Sequence, residues 1–408
     1  MCVEKTAQVV IGAQFGDEGK GRWVDHHAAQ IGHAGLVVRF NGGAQAGHTV
    51  VASDGRRHVF SHVGSGAFAG AATFLSRFFV SNPILFLKEW ERLAALGMQP
   101  VIQVDPSGAV TTPYDMMINQ IIEKRRGDGR HGSCGIGFGE TLERHLNPTY
   151  TLTVADLAKP ALADRLNAIR RDYAPARLAR LGFGDAVTGN ADLFQCDAIL
   201  EHYVEDTQRF LAAVTVTGLQ TAAQSRSILF EGAQGLLLDQ DRGFFPYVTR
   251  SHTGLRNVLA LAEELALERL EVTYATRAYL TRHGAGPLPG ELPNKPYPGV
   301  SDLTNVPNDY QGTLRFAWLD LDLLGRAIAG DLADADRVSG LLLHPHLAVT
   351  CLDQLGDGPA IYHQDGRRRQ ARQEEFVAKV AETAGTKVIL MSFGPGREAV
   401  SGKTPGVL

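Results

Sequence analysis

The feature that most constrains this chain is a glycine-rich turn placed directly after its first apolar strand. Ala7 to Ile11 is a short apolar run that ends at Gly12 and opens into Gly16-Asp17-Glu18-Gly19-Lys20-Gly21. A strand that stops on glycines and restarts as a helix leaves backbone N–H groups free at the helix N-terminus, where they and a lysine can face phosphate oxygens. The segment reads as a phosphate-binding loop. It departs from the common G-x-x-x-x-G-K-[ST] pattern, because Lys20 is followed by Gly21 and not by a hydroxyl residue. Nor does Gly12-Ala13-Gln14-Phe15-Gly16 supply the G-x-G-x-x-G of a dinucleotide site, which sets aside a nicotinamide-dependent oxidoreductase.

Similar β-type runs recur at Gly35 to Phe40, Ser227 to Phe230, Glu271 to Tyr274 and His346 to Thr350, separated by Ala- and Leu-rich stretches of helical character. That alternation predicts an α/β protein with a large, mostly parallel central sheet flanked by helices. Residues about 155–223 carry helical spacing and few motif-like clusters, so they read as a helical insertion or subdomain. Residues about 284–317 include Pro287, Pro289, Pro293, Pro296, Pro298 and Pro307, too many for a regular element, and read as a long functional loop. No internal repeat divides the 408 residues, which we read as one domain with these insertions.

With 44% hydrophobic and 21% charged residues and a net charge of −4, the composition is that of a globular protein without a polyanion partner, so no nucleic acid is expected. Cys2, Cys134, Cys196 and Cys351 form no C-x-x-C pair, which argues against zinc or a disulfide framework. Glu4 and Lys5 stand where a signal peptide would be apolar, and no apolar run reaches membrane-spanning length. A cytoplasmic protein is the expectation.

The segment Asn41-Gly42-Gly43-Ala44-Gln45-Ala46-Gly47-His48-Thr49 follows the run Gly35 to Phe40, so it should emerge at the same carboxyl edge of the sheet as the first turn. A lone histidine in a turn is more simply a buried structural residue. Its pairing with Asp17 is what points to chemistry.

Together these two clusters resemble the adenylosuccinate synthetase family. Further matches follow in chain order: Phe230-Glu231-Gly232-Ala233-Gln234-Gly235 with Leu238-Asp239, Pro246-Tyr247-Val248-Thr249, Thr281-Arg282-His283-Gly284-Ala285-Gly286-Pro287 with Glu291, and Ser392-Phe393-Gly394-Pro395. The resemblance implies an adenylosuccinate-synthetase-like fold and a two-step ligation. O6 of a 6-oxopurine nucleotide is phosphorylated by a nucleoside triphosphate, and the amino group of aspartate then displaces phosphate. A lactam oxygen leaves poorly as hydroxide, whereas phosphate is a good leaving group, which is why a triphosphate is consumed. By position, Asp17 would take the N1 proton and bind Mg²⁺, and His48 would stabilise the transferring phosphoryl group as a general acid. The Gly47 carbonyl would also bind Mg²⁺. Gly16, Glu18, Gly19, Lys20, Gly21, Gly47 and Thr49 would surround the triphosphate, and Gln45, Gln234 and Thr249 the acceptor nucleotide. A homodimer is implied as well.

Three segments depart from the family pattern. Where members carry Thr-Thr-Gly-Arg-Gly-Ile-Gly, this chain reads His131-Gly132-Ser133-Cys134-Gly135-Ile136-Gly137, so Ser133 becomes the candidate hydroxyl for the acceptor phosphate. Arg144 is the nearest candidate for the arginine that follows. The amino-acid loop, Thr-Thr-Gly-Arg-x-Arg-Arg before a Gly-Trp, appears as Tyr310-Gln311-Gly312-Thr313-Leu314-Arg315-Phe316-Ala317-Trp318. Arg315 remains to meet a carboxylate, with Arg282 or Arg277 as possible substitutes for the missing arginines. The base-reading Thr-Lys-x-Asp element becomes Thr350-Cys351-Leu352-Asp353, in which Asp353 either reads guanine, with Ser392 and Gly394 beside it, or is a turn residue. GTP and ATP therefore both stay open. So do IMP and a 2-amino purine nucleotide such as dGMP, the acceptor of a phage branch. A different amino acid, or a nucleotide-binding regulator without ligase activity, are the alternatives.

Overall fold

The computed structural model describes residues 5–129, 131–302, 312–335 and 340–402. Its centre is a ten-stranded sheet. In chain order the strands are β1 (Thr6–Gly12), β2 (Gly35–Arg39), β5 (Ala72–Leu75), β6 (Ile102–Val104), β7 (Thr215–Val216), β8 (Ser227–Gly235), β9 (Arg269–Arg277), β13 (Leu342–Thr350), β16 (Lys387–Ser392) and β17 (Val400–Gly402). Across the sheet the order is β17-β16-β13-β9-β1-β8-β2-β5-β6-β7, and every adjacent pair is parallel except β16 with β17. Strands buried on both faces need apolar residues throughout, and Val9, Val10 and Ile11 of β1 are each fully buried.

The remaining labels fall outside this sheet. β3 (His48–Val51) and β4 (Arg57–Phe60) form a hairpin. β10 (Tyr279–Arg282), β11 (Glu291–Leu292), β12 (Arg315–Asp320), β14 (Ala360–Gln364) and β15 (Arg367–Ala371) form a smaller sheet that shares the main apolar core. The first four helices are α1 (Lys20–Ile31), α2 (Pro83–Ala95), α3 (Pro113–Arg126) and α4 (Phe138–His145). In α1, Trp23, Val24 and Ala28 are spaced at i, i+1 and i+5 and pack on Val10, Val37 and Ala275 of the central strands.

The predicted strands sit within β1, β2, β8, β9 and β13, and the parallel arrangement carries their ends to one edge. Gly12, Arg39, Gly235, Arg277, Thr350 and Ser392 all close strands there. Between Leu162 and Ala222 the described secondary structure is helical apart from the two-residue β7. The Pro-rich stretch holds the short strand β11, and β12 begins at Arg315, inside the loop expected to run to 317; residues 303–311 of that loop lie outside the described residues.

Candidate active site at the carboxyl edge of the sheet

The first glycine turn is built around a buried carboxylate. Glu18 accepts from the backbone N–H of Gln14 (2.9 Å) and Gly16 (2.8 Å), and Lys20 Nζ donates to it at 2.8 Å and to the Gly16 carbonyl at 2.6 Å. Both side chains are fully enclosed. Glycines at 12 and 235 make the space: a Cβ at either would stand 2.3 or 2.6 Å from a Glu18 carboxylate oxygen. Glu18, expected among the phosphate contacts, is thus an internal brace of the loop, and Lys20 is held by it at the start of α1. Thr350, at the end of β13, locks the turn from the other side by donating its hydroxyl to the Glu18 carbonyl at 3.1 Å.

Asp17 is half-buried, and burial raises its carboxyl pKa although Arg277 nearby acts in the opposite sense. Arg277, at the end of β9, donates Nε–H to the Asp17 main-chain carbonyl and leans toward Asp302 at 3.4 Å. Among the described residues the Asp17 carboxylate has no side-chain hydrogen bond, a condition in which a cation would be welcome.

The second turn meets the first. A Cβ placed on Gly21, in the first turn of α1, would lie 2.9 Å from His48 Cβ, so the two glycine-rich segments touch where α1 begins. His48, on β3, points Nδ1 at Glu231 Oε1 of β8 at 2.5 Å. Glu231 also accepts from the Ser65 amide (2.9 Å) and hydroxyl. Burial alone would raise the Glu231 pKa, but Arg39, His48 and Ser65 bring it down to about 2. Burial lowers the pKa of His48 more than Glu231 restores it. Arg39 is enclosed, donates to the Ser61 carbonyl at 2.9 Å, and has Nε and Nη2 without partners. Gly47 is exposed beside His48, and Thr49 follows in β3.

Gln45 and Gln234 mark the neighbouring seat. The Gln45 amide nitrogen and oxygen and the Gln234 amide oxygen are hidden from solvent yet have no hydrogen-bond partner. A Cβ on Gly42 would lie 3.8 Å from the former's Nε2 and 4.0 Å from the latter's Oε1. Buried polar atoms without partners are rare, and three in one place fit a polar ligand. Thr249 is tied to this wall through its N–H to the Leu238 carbonyl at 2.8 Å.

On the other side of α1, Arg22 donates to the Ser392 hydroxyl and, at 3.1 Å, to the Pro395 carbonyl. Ser392 donates onward to the Gly394 carbonyl at 2.9 Å. Asp353 is exposed within the field of Arg22, so Asp353, Ser392 and Gly394 flank one helix that also carries Lys20.

Four further candidate residues are held by partners within the protein. Arg144 is fully buried in α4, where its guanidinium forks onto Asp115 (2.9 Å to each oxygen) and donates to the carbonyls of Val110 (2.8 Å) and Tyr150 (2.5 Å). It is a fully buried side chain of this packing. Ser133 donates to Asn119 Oδ1 at 2.9 Å, while Gly132 beside it packs on Gly284 and Ala285, bringing that segment against the 283–287 loop. Arg315 forks onto the Glu291 carboxylate (Nε to Oε1 2.8 Å) and donates to the Gly284 (3.0 Å) and Gly286 (2.7 Å) carbonyls. Arg282 likewise braces Ala285, Pro287 and Tyr247 carbonyls.

The residues that motif reading passed over are Glu231, Ser65 and Arg39. Glu231 was visible within its motif, and a carboxylate inside the apolar run Ile228 to Ala233 demands a partner, as does Arg39 inside the apolar run Gly35 to Phe40; Ser65 carried no such signal.

Comparison with known proteins agrees with this geometry. The family model described as adenylosuccinate synthetase matches residues 9–340. The adenylosuccinate synthetase of Xylella fastidiosa is 34% identical over 89% of this chain and 82% of its own length, and that of Burkholderia mallei 31% identical over 97% and 86%. Among solved structures, fully ligated adenylosuccinate synthetase from Plasmodium falciparum superposes with a TM-score of 0.71 over 98% of this chain and all of that one, at 17% identity. Succinoaminodeoxyadenylate synthetase of cyanophage S-2L, bound to dGMP and dATP, gives 0.60 over 98% and 96%, at 18% identity. The chain belongs to the adenylosuccinate synthetase family.

Proposed function

We propose that this protein, a C–N ligase by family, phosphorylates O6 of a 6-oxopurine nucleotide from GTP or ATP and then lets the amino group of aspartate displace the phosphate, giving an N6-succinyl-aminopurine nucleotide. The observation that carries the reading is the meeting of two glycine turns at the start of α1, with His48 held on Glu231 and the half-buried Asp17 carboxylate beside them near Arg277 and Lys20.

In this reading Asp17 takes the N1 proton of the purine, which raises the nucleophilicity of O6. His48 meets the phosphoryl group in flight, and Lys20 with the N–H groups of Gly19 and Gly21 holds the triphosphate, the Gly16 N–H being taken by Glu18. The orphaned amides of Gln45 and Gln234 receive the acceptor, with Thr249 and Ser133 at its edge. Asp353, Ser392 and Gly394 take the base of the triphosphate. The donor set fits Mg²⁺, since Asp17 would offer a carboxylate and the exposed Gly47 its carbonyl, both hard oxygen ligands. When bound, the ion supplies charge neutralisation on the triphosphate oxygens. Arg315 receives the amino acid's carboxylate, in exchange for Glu291. Residues 155–223 serve as a helical subdomain and 284–317 as the substrate loop of a single domain. A cytoplasmic homodimer completes the reading; among the described residues no helix is long and apolar enough to cross a membrane.

The test is a matrix of IMP, GMP and dGMP against aspartate and other amino acids, with GTP or ATP, read by phosphate release and product mass. Phosphate release that requires both acceptor and aspartate, with a succinylated product, is expected. Tight nucleotide binding with no release for any purine acceptor would instead make the protein a regulator.

A further inference from the structure

We propose that Glu231 and Ser65 are positioning residues that fix His48 in one orientation, with Nδ1–H donated to Glu231 and the Nε2 edge of the ring turned toward the bound phosphoryl group. The inference rests on the reading of His48 given above and extends it to groups that never touch substrate.

A carboxylate can only accept, so a 2.5 Å contact between Glu231 Oε1 and His48 Nδ1 places the proton on Nδ1. The other ring nitrogen, Nε2, has no hydrogen-bond partner in the protein among the described residues. It is the one left for a ligand. Glu231 is itself immobilised, because one oxygen takes the Ser65 amide at 2.9 Å and the other takes the Ser65 hydroxyl as well as the imidazole. The Ser65 end is anchored by the chain around it: the Ala67 amide donates to the Gly64 carbonyl and the Gly64 amide to the Thr73 hydroxyl. Three separate elements, β3, β8 and the turn at Ser65, thus converge on one imidazole.

The groups that face this pair are few. Lys20 approaches from α1 and Arg39 from β2, while Gly21 closes on the imidazole's Cβ with no side chain of its own. Both flanking groups are cations, so neither can accept the Nδ1 proton in place of Glu231. An enclosed carboxylate that orients a histidine in this manner is worth far more to turnover than to substrate binding, because it acts on the geometry of the transferring group.

The direct test is ¹⁵N NMR of histidine-labelled enzyme, with the His48 resonances assigned by their loss in His48→Gln. The shift of a protonated Nδ1 is expected; a bare Nδ1, or an averaged mixture of tautomers, would overturn the proposal. This measurement uses the unmodified protein, so it stands even if a variant fails to fold.

The kinetic arm compares Glu231→Gln, Glu231→Asp and Ser65→Ala. Glu231→Gln should lower kcat about 10²–10³-fold while KM for the triphosphate moves less than about threefold, with partial recovery in Glu231→Asp. Ser65→Ala should cost about tenfold in kcat. If His48→Ala is inactive while Glu231→Gln turns over within about threefold of the parent enzyme, this proposal fails and the reading of His48 survives. If His48→Ala itself turns over normally, both fall.

Discussion

At the glycine-turn end of the site the charged side chains are held by other side chains, Lys20 by Glu18 and His48 by Glu231, whereas at the far end the guanidiniums of Arg282 and Arg315 hold main-chain carbonyls of the 284–287 loop. The first arrangement fixes reactive groups before any ligand arrives. The second shapes a loop, and the fork of Arg315 already carries a carboxylate, that of Glu291. The nucleotide end is therefore pre-organised, while in the proposed reading an incoming amino acid competes with a resident group for its binding charge.

The comparison can be broken most severely at the nucleotide end. Replacing His48 by Ala, or Asp17 by Asn, should lower kcat by about 10²–10⁴-fold with triphosphate binding little changed, as expected for groups acting on the transition state. Steady-state kinetics beside calorimetric nucleotide binding checks both halves of that statement. A large fall in nucleotide affinity would instead make either residue a binding group.

A second effect concerns the scaffold between the two ends. Arg144→Met leaves Asp115 charged and enclosed with its partner gone, and should cost about 3–5 kcal/mol of stability. Chemical denaturation would register this as a lower midpoint. An unchanged midpoint would show that Asp115 finds water or another donor.

Smaller is the effect expected of Glu18→Gln. Its hydrogen bonds to two amides and to the Lys20 ammonium are charge-assisted, so the loss should be about 1.5–3 kcal/mol, seen as weaker triphosphate binding and a lower melting temperature. Unaltered nucleotide affinity would mean that the loop holds its shape without the brace.

The far end should respond least, and in the opposite sense. Glu291→Gln removes the competing charge on Arg315 and should lower the amino-acid KM by a few fold, about 1 kcal/mol or less for a partly exposed pair. Arg315→Ala should raise the amino-acid KM more than the acceptor KM. Equal changes in both constants would reassign Arg315 as a loop brace alone.

How far the sequence carried these conclusions differs between the same two regions. The strand runs and glycine turns are local signals, and because parallel strands end together at one edge, placing Asp17 and His48 on the ends of two of them was enough to bring their loops together. Glu231 was in view as part of a motif, but its role depends on β8 lying next to β2, a pairing that joins residues far apart in the chain. Arg144 was the nearest candidate for an expected arginine, at a shifted position, and its burial against Asp115 arises from the packing of α3 on α4, which spacing alone does not report. Arg315 was found, yet the carboxylate it holds comes from β11, which pairs with β12 only once the smaller sheet is folded.

The central claim is that purine O6 departs on phosphate. Enzyme supplied with a 6-[¹⁸O]oxopurine nucleotide, triphosphate, Mg²⁺ and aspartate should release inorganic phosphate carrying one ¹⁸O atom, with none left in the purine product. Phosphate released without the label, the isotope remaining on the purine, would contradict the account.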